Sequence, residues 1–360
     1  MGHIGYLSSR GQPHLGEVAM ALAFVVTTIQ APTEGIRAIG AHAARTASDT
    51  LIVVGDRKSP ETWNCAGAHF YSLKDQMELP FAIARHLPLD SYSRKMLGYL
   101  LAAAQGYEWI RETDDDNTPY ESFFESVDSM SEARLAVPID DWINIYSYFT
   151  ERHIWPRGFP LSLVQDERQR TLPTTESVGI KGTVLLQAVA DGDPDVDAVY
   201  RLTAPDTSAV YFNRNVPLLV PPGSWTPFNS QATTWPRVLL PLMYLPSTCT
   251  FRMTDIWRSF VAQKLMTQFD ACLVITEPTV FQKRNQHNLM RDFEEEITGY
   301  LGYTRFVRIL SDLDLSARTD SLLHNLKIVY DVLIREGFFT QDEGPLLDAW
   351  LQDMRALGYA

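Results

Sequence analysis

The chain has 360 residues, with Lys+Arg 31 against Asp+Glu 44, a formal net charge of −13, 45% hydrophobic and 21% charged residues. This balance describes a globular protein and excludes disordered, collagenous and disulfide-built chains. The acid excess, with no basic run anywhere, argues against binding the phosphate backbone of a nucleic acid.

From Met1 to about Gly16 the sequence is Gly-rich, polar and aperiodic, which predicts a poorly ordered lead-in over residues 1–18. Ala21–Thr28 (ALAFVVTT) is a β-branched and aromatic run expected to form a strand. Pro32 and the stretch Glu34–Arg45 read as a loop opening a helix. Thr50–Gly55 (TLIVVG) is a second buried strand stopped by Asp56, and His69–Ser72 a weaker third. Ser91–Gln105 is an Ala/Leu-rich helix ended by Gly106, after which Tyr107–Thr113 forms a fourth strand that runs into Asp114, Asp115 and Asp116.

Strands alternating with helices imply βα units, a mainly parallel sheet and a ligand beyond the carboxyl ends of the strands. Thr27 and Thr28, Asp56 and the acidic triplet all stand at such ends. From about Ile139 to Ser247 the chain is rich in Pro, Trp and turn signals, which predicts long ordered loops over a site. Helical spacing returns in Leu322, Leu326, Val329 and Leu333, and again in Leu346, Leu347, Trp350 and Met354 after Gly344-Pro345. These helices read as a packing appendage over residues 311–360.

Cys65, Cys249 and Cys272 are odd in number and widely separated, so neither a disulfide framework nor a zinc knuckle is indicated and a reducing compartment follows. The longest apolar run, Val18–Val26, is too short to cross a bilayer. A cytoplasmic location is the expectation. The patterns H-E-x-x-H, G-x-S-x-G, G-x-G-x-x-G after the first strand and G-x-x-x-x-G-K-[ST] are all absent, which disfavours zinc hydrolases, serine esterases and the usual dinucleotide and P-loop sites.

The strongest local signal is Glu112-Thr-Asp-Asp-Asp-Asn117. In an extended chain Asp114 and Asp116 project to one side and Asp115 to the other, giving a hard-oxygen site for Mn²⁺ or Mg²⁺ completed by diphosphate oxygens. The alternative is a solvated loop whose acids cap the helix near Tyr120. Arg94 and Lys95 open a helix, where they either reach a diphosphate or face solvent. Asp56 either accepts hydrogen bonds from a nucleoside or caps a turn. Arg157, in Arg-Gly-Phe-Pro160, is either a fork donor for phosphate or half of a structural salt bridge. Asp255 is either a first-turn helix acid or a catalytic carboxylate.

The stretch Pro217–Gln263, with Phe228-Asn-Ser-Gln231, Leu240-Pro-Leu-Met-Tyr-Leu-Pro246 and Thr250-Phe-Arg-Met-Thr-Asp-Ile-Trp-Arg258, resembles the STELLO-like glycosyltransferase family. More distantly, Asp114–Asp116, Arg157-Gly-Phe-Pro160 and Thr254-Asp-Ile-Trp257 are similar to motifs of the reversibly glycosylated polypeptides, the UDP-arabinopyranose mutases. Where those mutases carry two acids before Met-Trp, this chain has Thr254-Asp255. The resemblance implies an α/β GT-A glycosyltransferase fold, a Rossmann-like mixed sheet flanked by helices over residues 19–310. In it 19–118 would take the nucleotide sugar and 119–310 the acceptor.

The same resemblance implies a DxD-type Mn²⁺ or Mg²⁺ site on Asp114 and Asp116, catalytic roles for Asp255 and Arg157, and transfer of a hexose such as glucose from a UDP-sugar. On this reading Thr27, Thr28, Asp56, Arg94, Lys95, Asp115, Asn229, Gln231 and Arg252 are the expected substrate contacts. The implied partners are a UDP-sugar donor and a glycan or other hydroxyl acceptor, with no nucleic acid, no membrane span and room for a homo-oligomer. The plant STELLO proteins are Golgi-anchored, so this chain is expected to be a soluble relative or a catalytic domain. Two other readings stay open. One is a UDP-sugar mutase or self-glycosylating protein acting through Arg157. The other is a non-catalytic binder of glycans or proteins that uses Trp142, Tyr146, Tyr148, Trp155, Trp225 and Trp235.

Overall fold

A computed structural model describes residues 21–127, 130–170, 176–214, 217–283, 287–316, 318 and 321–360. The expected lead-in lies outside these residues, apart from which the elements run as follows. The first half contains β1 (Leu22–Thr28), α1 (Glu34–Arg45), β2 (Thr50–Gly55), β3 (Ala68–Tyr71), α2 (Leu73–Glu78), α3 (Lys95–Ala104), β4 (Trp109–Asp114) and β5 (Asn117–Pro119). Next come β6 (Glu132–Leu135), β7 (Ser177–Gly179), β8 (Thr183–Gly192), α4 (Ala198–Thr203), β9 (Leu218–Val220) and β10 (Ala232–Pro236). The chain closes with α5 (Thr254–Met266), β11 (Ala271–Gln282), α6 (Leu289–Asp312), α7 (Leu322–Arg335) and α8 (Glu343–Ala356).

The strands form one mixed sheet in the order β3-β2-β1-β4-β10-β8-β11-β9-β6-β7, with β5 pairing to β11. The first four are parallel neighbours, as the alternating apolar runs require. Strand β10 then enters antiparallel between β4 and β8, joining both halves of the chain into a single sheet. Two of the central strands, β8 and β10, thus come from the stretch expected to be long loops. Residues 185–192 of β8 are continuously buried, the pattern of a strand covered on both faces, and this signal is hidden among the surrounding Pro and turn residues.

Helix α3 lies close on the parallel strands because Gly98 has no side chain: a Cβ there would meet Val25 Cγ1 at 2.4 Å. Its expected first turn is instead a 3₁₀ turn, Tyr92–Arg94, capped by Ser91. The aromatic residues Trp142, Tyr146, Tyr148, Trp155, Trp225 and Trp235 are all buried in the main core, so they form no exposed binding platform. Helices α7 and α8 share that core. Glu343 accepts from the backbone N–H groups of Ser247 and Thr248, Asp353 accepts from those of Ala82 and Ile83, and Trp350 donates to Pro241 O. No helix among the described residues is long and apolar enough to cross a membrane.

Buried Asp197 caps α4, accepting from Tyr200 N at 2.7 Å and Trp155 Nε1 at 2.6 Å. Burial pushes its carboxyl up to about 7, and nearby Glu296 adds to the rise. The folded protein therefore keeps a proton there that the unfolded chain releases near pH 4, so the native state binds the extra proton between about pH 4 and 7. Stability contributed by this group falls as pH rises through that window and is flat above it. The urea midpoint at pH 7.5 minus that at pH 5 should be more positive in Asp197→Asn than in the wild type, and an identical value would contradict the assignment.

Candidate functional site

A cavity of about 400 Å³ opens at the carboxyl ends of β1, β2 and β4. Thr27 and Thr28 line it from the end of β1, Asp56 from just beyond β2, and Asp114, Asp115 and Asp116 from the end of β4. The chain is not extended through the acidic triplet. Residues 115–116 form a tight turn between β4 and β5, and all three aspartates line the cavity. The extended chain expected through the triplet is therefore replaced by a turn.

Each acid is held by a different element. Asp114 Oδ1 accepts from Tyr92 Oη at 2.6 Å and from Lys95 Nζ at 3.0 Å. Asp115 Oδ2 accepts from Thr28 Oγ1 at 2.5 Å, which ties the turn to β1. Asp116 Oδ2 accepts from Gln282 Nε2 at 3.2 Å, which ties it to β11. Burial, and then the like charge of Asp114, outweigh Thr28 and Lys95 and raise the Asp115 carboxyl. Burial, followed by Asp114 and Asp255, raises the Tyr92 phenol well above its usual range, so it stays a donor.

The expected phosphate contacts sort differently. Lys95 is fully buried, and its three donors go to Asp114, Tyr92 Oη and Ser230 O, so it braces Asp114 from behind. Arg94 touches the cavity, but its guanidinium is spent on Gln76 Oε1 and on the carbonyls of Leu87 and Pro88. Arg157 gives all five N–H donors to protein: two to each of Asp195 and Asp255, shared as bidentate pairs, and one to Arg252 O. Lys95 and Arg157 have no donor to spare for a phosphate, and Arg94 keeps only one N–H beyond the four it gives to protein. Arg252 binds Glu296 at 2.7 Å and Val196 O at 3.4 Å, which accounts for one face of its fork.

Around Arg157, two carboxylates are fixed at the cavity wall. Burial pushes Asp195 upward, but the Arg157 guanidinium, together with Arg252 and Asn229, outweighs it and holds this carboxyl well below the usual range. Asn229 Nδ2 donates to Asp195 Oδ2 at 3.0 Å, and Gln231 Nε2 donates to Asn117 Oδ1 at 3.2 Å, so both amides of the Phe228–Gln231 stretch line the site. Sequence reasoning missed Asp195, which sits in a turn of the Asp-Gly-Asp-Pro-Asp stretch, and also missed Tyr92, Lys58 and His287 at the cavity wall. His287 Nδ1 lies 3.2 Å from the Asp292 carboxylate. No motif marks these four.

Two or three carboxylates on one turn offer hard oxygens suited to Mg²⁺ or Mn²⁺. Among the described residues no group of three or more His, Cys, Asp or Glu side chains is arranged to enclose an ion. A cation held on this turn must therefore complete its shell with substrate oxygens and water, as these ions commonly do.

The model of the STELLO glycosyltransferases matches residues 252–360, from the turn before α5 through α8. Two Arabidopsis thaliana proteins, Probable glycosyltransferase STELLO2 and Probable glycosyltransferase STELLO1, are each 27% identical over 351 residues. The match covers 93% of this chain but 45% and 44% of those proteins, so the chain spans less than half the length of these relatives. Among solved structures, a mycobacterial protein overlaps at a TM-score of 0.36 and 13% identity, covering 82% of this chain and 74% of that one. The glucosyl-3-phosphoglycerate synthase of M. tuberculosis overlaps at a TM-score of 0.35 and 11% identity, covering 82% of this chain and 80% of that one. The chain is thus similar to the STELLO glycosyltransferases, and its mixed α/β architecture agrees with the fold that this resemblance implies.

Proposed function

We propose that this relative of the STELLO glycosyltransferases is a metal-dependent GT-A enzyme that transfers a hexose, glucose being the first candidate, from a UDP-sugar to a hydroxyl acceptor. The observation that carries the reading is the Asp114–Asp116 turn, which brings three aspartates to the wall of the cavity at the strand ends. A divalent cation bound there supplies charge neutralisation for the departing diphosphate. Thr27, Thr28 and Asp56 line the nucleoside end, and Arg252 with the exposed Lys58 offers positive charge toward the phosphates.

Lys95 and Tyr92 hold Asp114 in place, so the acidic turn is braced before any ligand arrives. Asp255 is assigned as the acceptor-side base of an inverting transfer, with Arg157 fixing its orientation and that of Asp195. Arg157 is a positioning residue in this reading, because its donors are already committed. That same commitment disfavours the mutase or self-glycosylating alternative, and the burial of the central aromatic residues disfavours a non-catalytic glycan binder.

Calorimetric titration of UDP with Mn²⁺ present should show saturable heat that disappears when EDTA is added. Equal affinity with and without EDTA would remove the metal from the reading. Absence of UDP heat in both conditions would remove the nucleotide.

A further inference from the structure

Phe251 is an anomaly for a folding argument. It is 56% exposed, yet it lines the cavity and sits edge-on to Tyr92, with ring centroids 5.6 Å apart and planes at 75°. The backbone around it is pinned. Thr250 Oγ1 donates to Glu295 O at 2.5 Å, Met253 N donates to Thr250 O at 2.9 Å, and Arg252 is paired with Glu296. A phenyl ring is therefore held more than half exposed on the wall of an aspartate-lined cavity by neighbours that are themselves anchored to α6. Leaving it exposed forgoes the burial that would normally stabilise such a side chain.

The ligand that matches this setting has an apolar face and a hydroxyl-bearing edge. A pyranose ring has both: its C–H face suits the electron-rich face of an aromatic ring, and its hydroxyls suit carboxylate acceptors. Asp90 and Asp255 line the same cavity, and Phe251 lies on the turn leading directly into α5, four residues before Asp255. We infer that Phe251 is a stacking platform for the sugar ring of the acceptor, which makes the acceptor a carbohydrate. This rests on the proposed glycosyl transfer only in the word acceptor; the ring-stacking itself is read independently of UDP.

The test uses saturation-transfer NMR on the full chain with methyl β-D-glucopyranoside, methyl α-D-mannopyranoside and methyl β-D-galactopyranoside, and with linear sorbitol as the ringless control. At least one pyranoside should show transfer to its ring C–H protons in the wild type, with none for sorbitol. The signal should fall about fivefold or more in Phe251→Ala and be retained in Phe251→Trp. No transfer to any pyranoside in the wild type, or equal transfer in Phe251→Ala, overturns the inference. Loss of UDP-glucose affinity in Phe251→Ala with UDP and pyranoside binding unchanged would place the donor sugar on the ring and overturn the acceptor assignment. UDP calorimetry on the same samples reports separately on the nucleotide reading, since a protein silent to UDP but losing pyranoside transfer in Phe251→Ala would keep the platform and lose the donor.

Discussion

Glu112→Ala should cost about 3–5 kcal/mol of folding stability, the range for removing one partner of a buried ion pair. Glu112 and Arg258 are both fully buried, with Arg258 Nη1 3.2 Å from Glu112 Oε1 and Nη2 donating to Asn229 O at 3.1 Å. Tyr99 Oη donates to the other Glu112 oxygen. Removing the carboxylate strands a guanidinium and a phenol together in the core. Replacing both charges, as in Glu112→Leu with Arg258→Met, should recover most of the loss, because paired apolar groups of similar volume escape the desolvation cost. Urea unfolding followed by tryptophan fluorescence measures both variants, and a loss below about 1 kcal/mol in Glu112→Ala would contradict the assignment.

The pair matters for function by position. Glu112 is two residues before Asp114 on β4, and Arg258 is three residues after Asp255 on α5. One buried contact thus sets the strand carrying the acidic turn against the helix carrying the proposed base. Site geometry and core stability are coupled at this point.

The second large effect concerns the acidic turn itself. Asp114→Asn with Asp116→Asn should lower UDP affinity in the presence of Mn²⁺ by at least about 100-fold, since even outer-shell partners of a bound metal are worth 10–100-fold. Asp114→Asn also leaves Lys95 buried without its carboxylate partner, so part of any loss in the double variant could reflect a weakened fold. Two further variants separate these causes. Asp116→Asn leaves the Lys95 contact untouched, and Asp114→Asn with Lys95→Met removes both charges of the buried pair. If UDP binds either of them as tightly as the wild type, the turn is not the cation site.

Much of the first half was legible in the sequence because its signals are local. Strands β1 and β2 and helix α1 are contiguous apolar or periodic runs, and the polar residues closing β1, β2 and β4 do meet at one cavity. Helices α7 and α8 follow their apolar spacing. What stayed hidden depends on long-range pairing. Lys95 and Arg94 read as helix-opening cations, and nothing near them announces that Ser230, 135 residues away, and Gln76 consume their donors. Arg157 reads as a fork for phosphate, yet its fork closes on Asp195 and Asp255, 38 and 98 residues distant. Strand β8 lacked the alternation that marks a half-exposed strand, since residues 185–192 are buried on both faces.

The claim on which the functional reading turns is that Asp114 and Asp116 hold a cation that bridges the protein to a sugar-nucleotide diphosphate. Crystals grown with UDP and Mn²⁺, measured at the manganese absorption edge, test it directly. The predicted result is an anomalous peak against the carboxylates of Asp114 and Asp116 that also touches the UDP phosphates; UDP in the cavity with no peak on that turn, or a peak elsewhere, would contradict it.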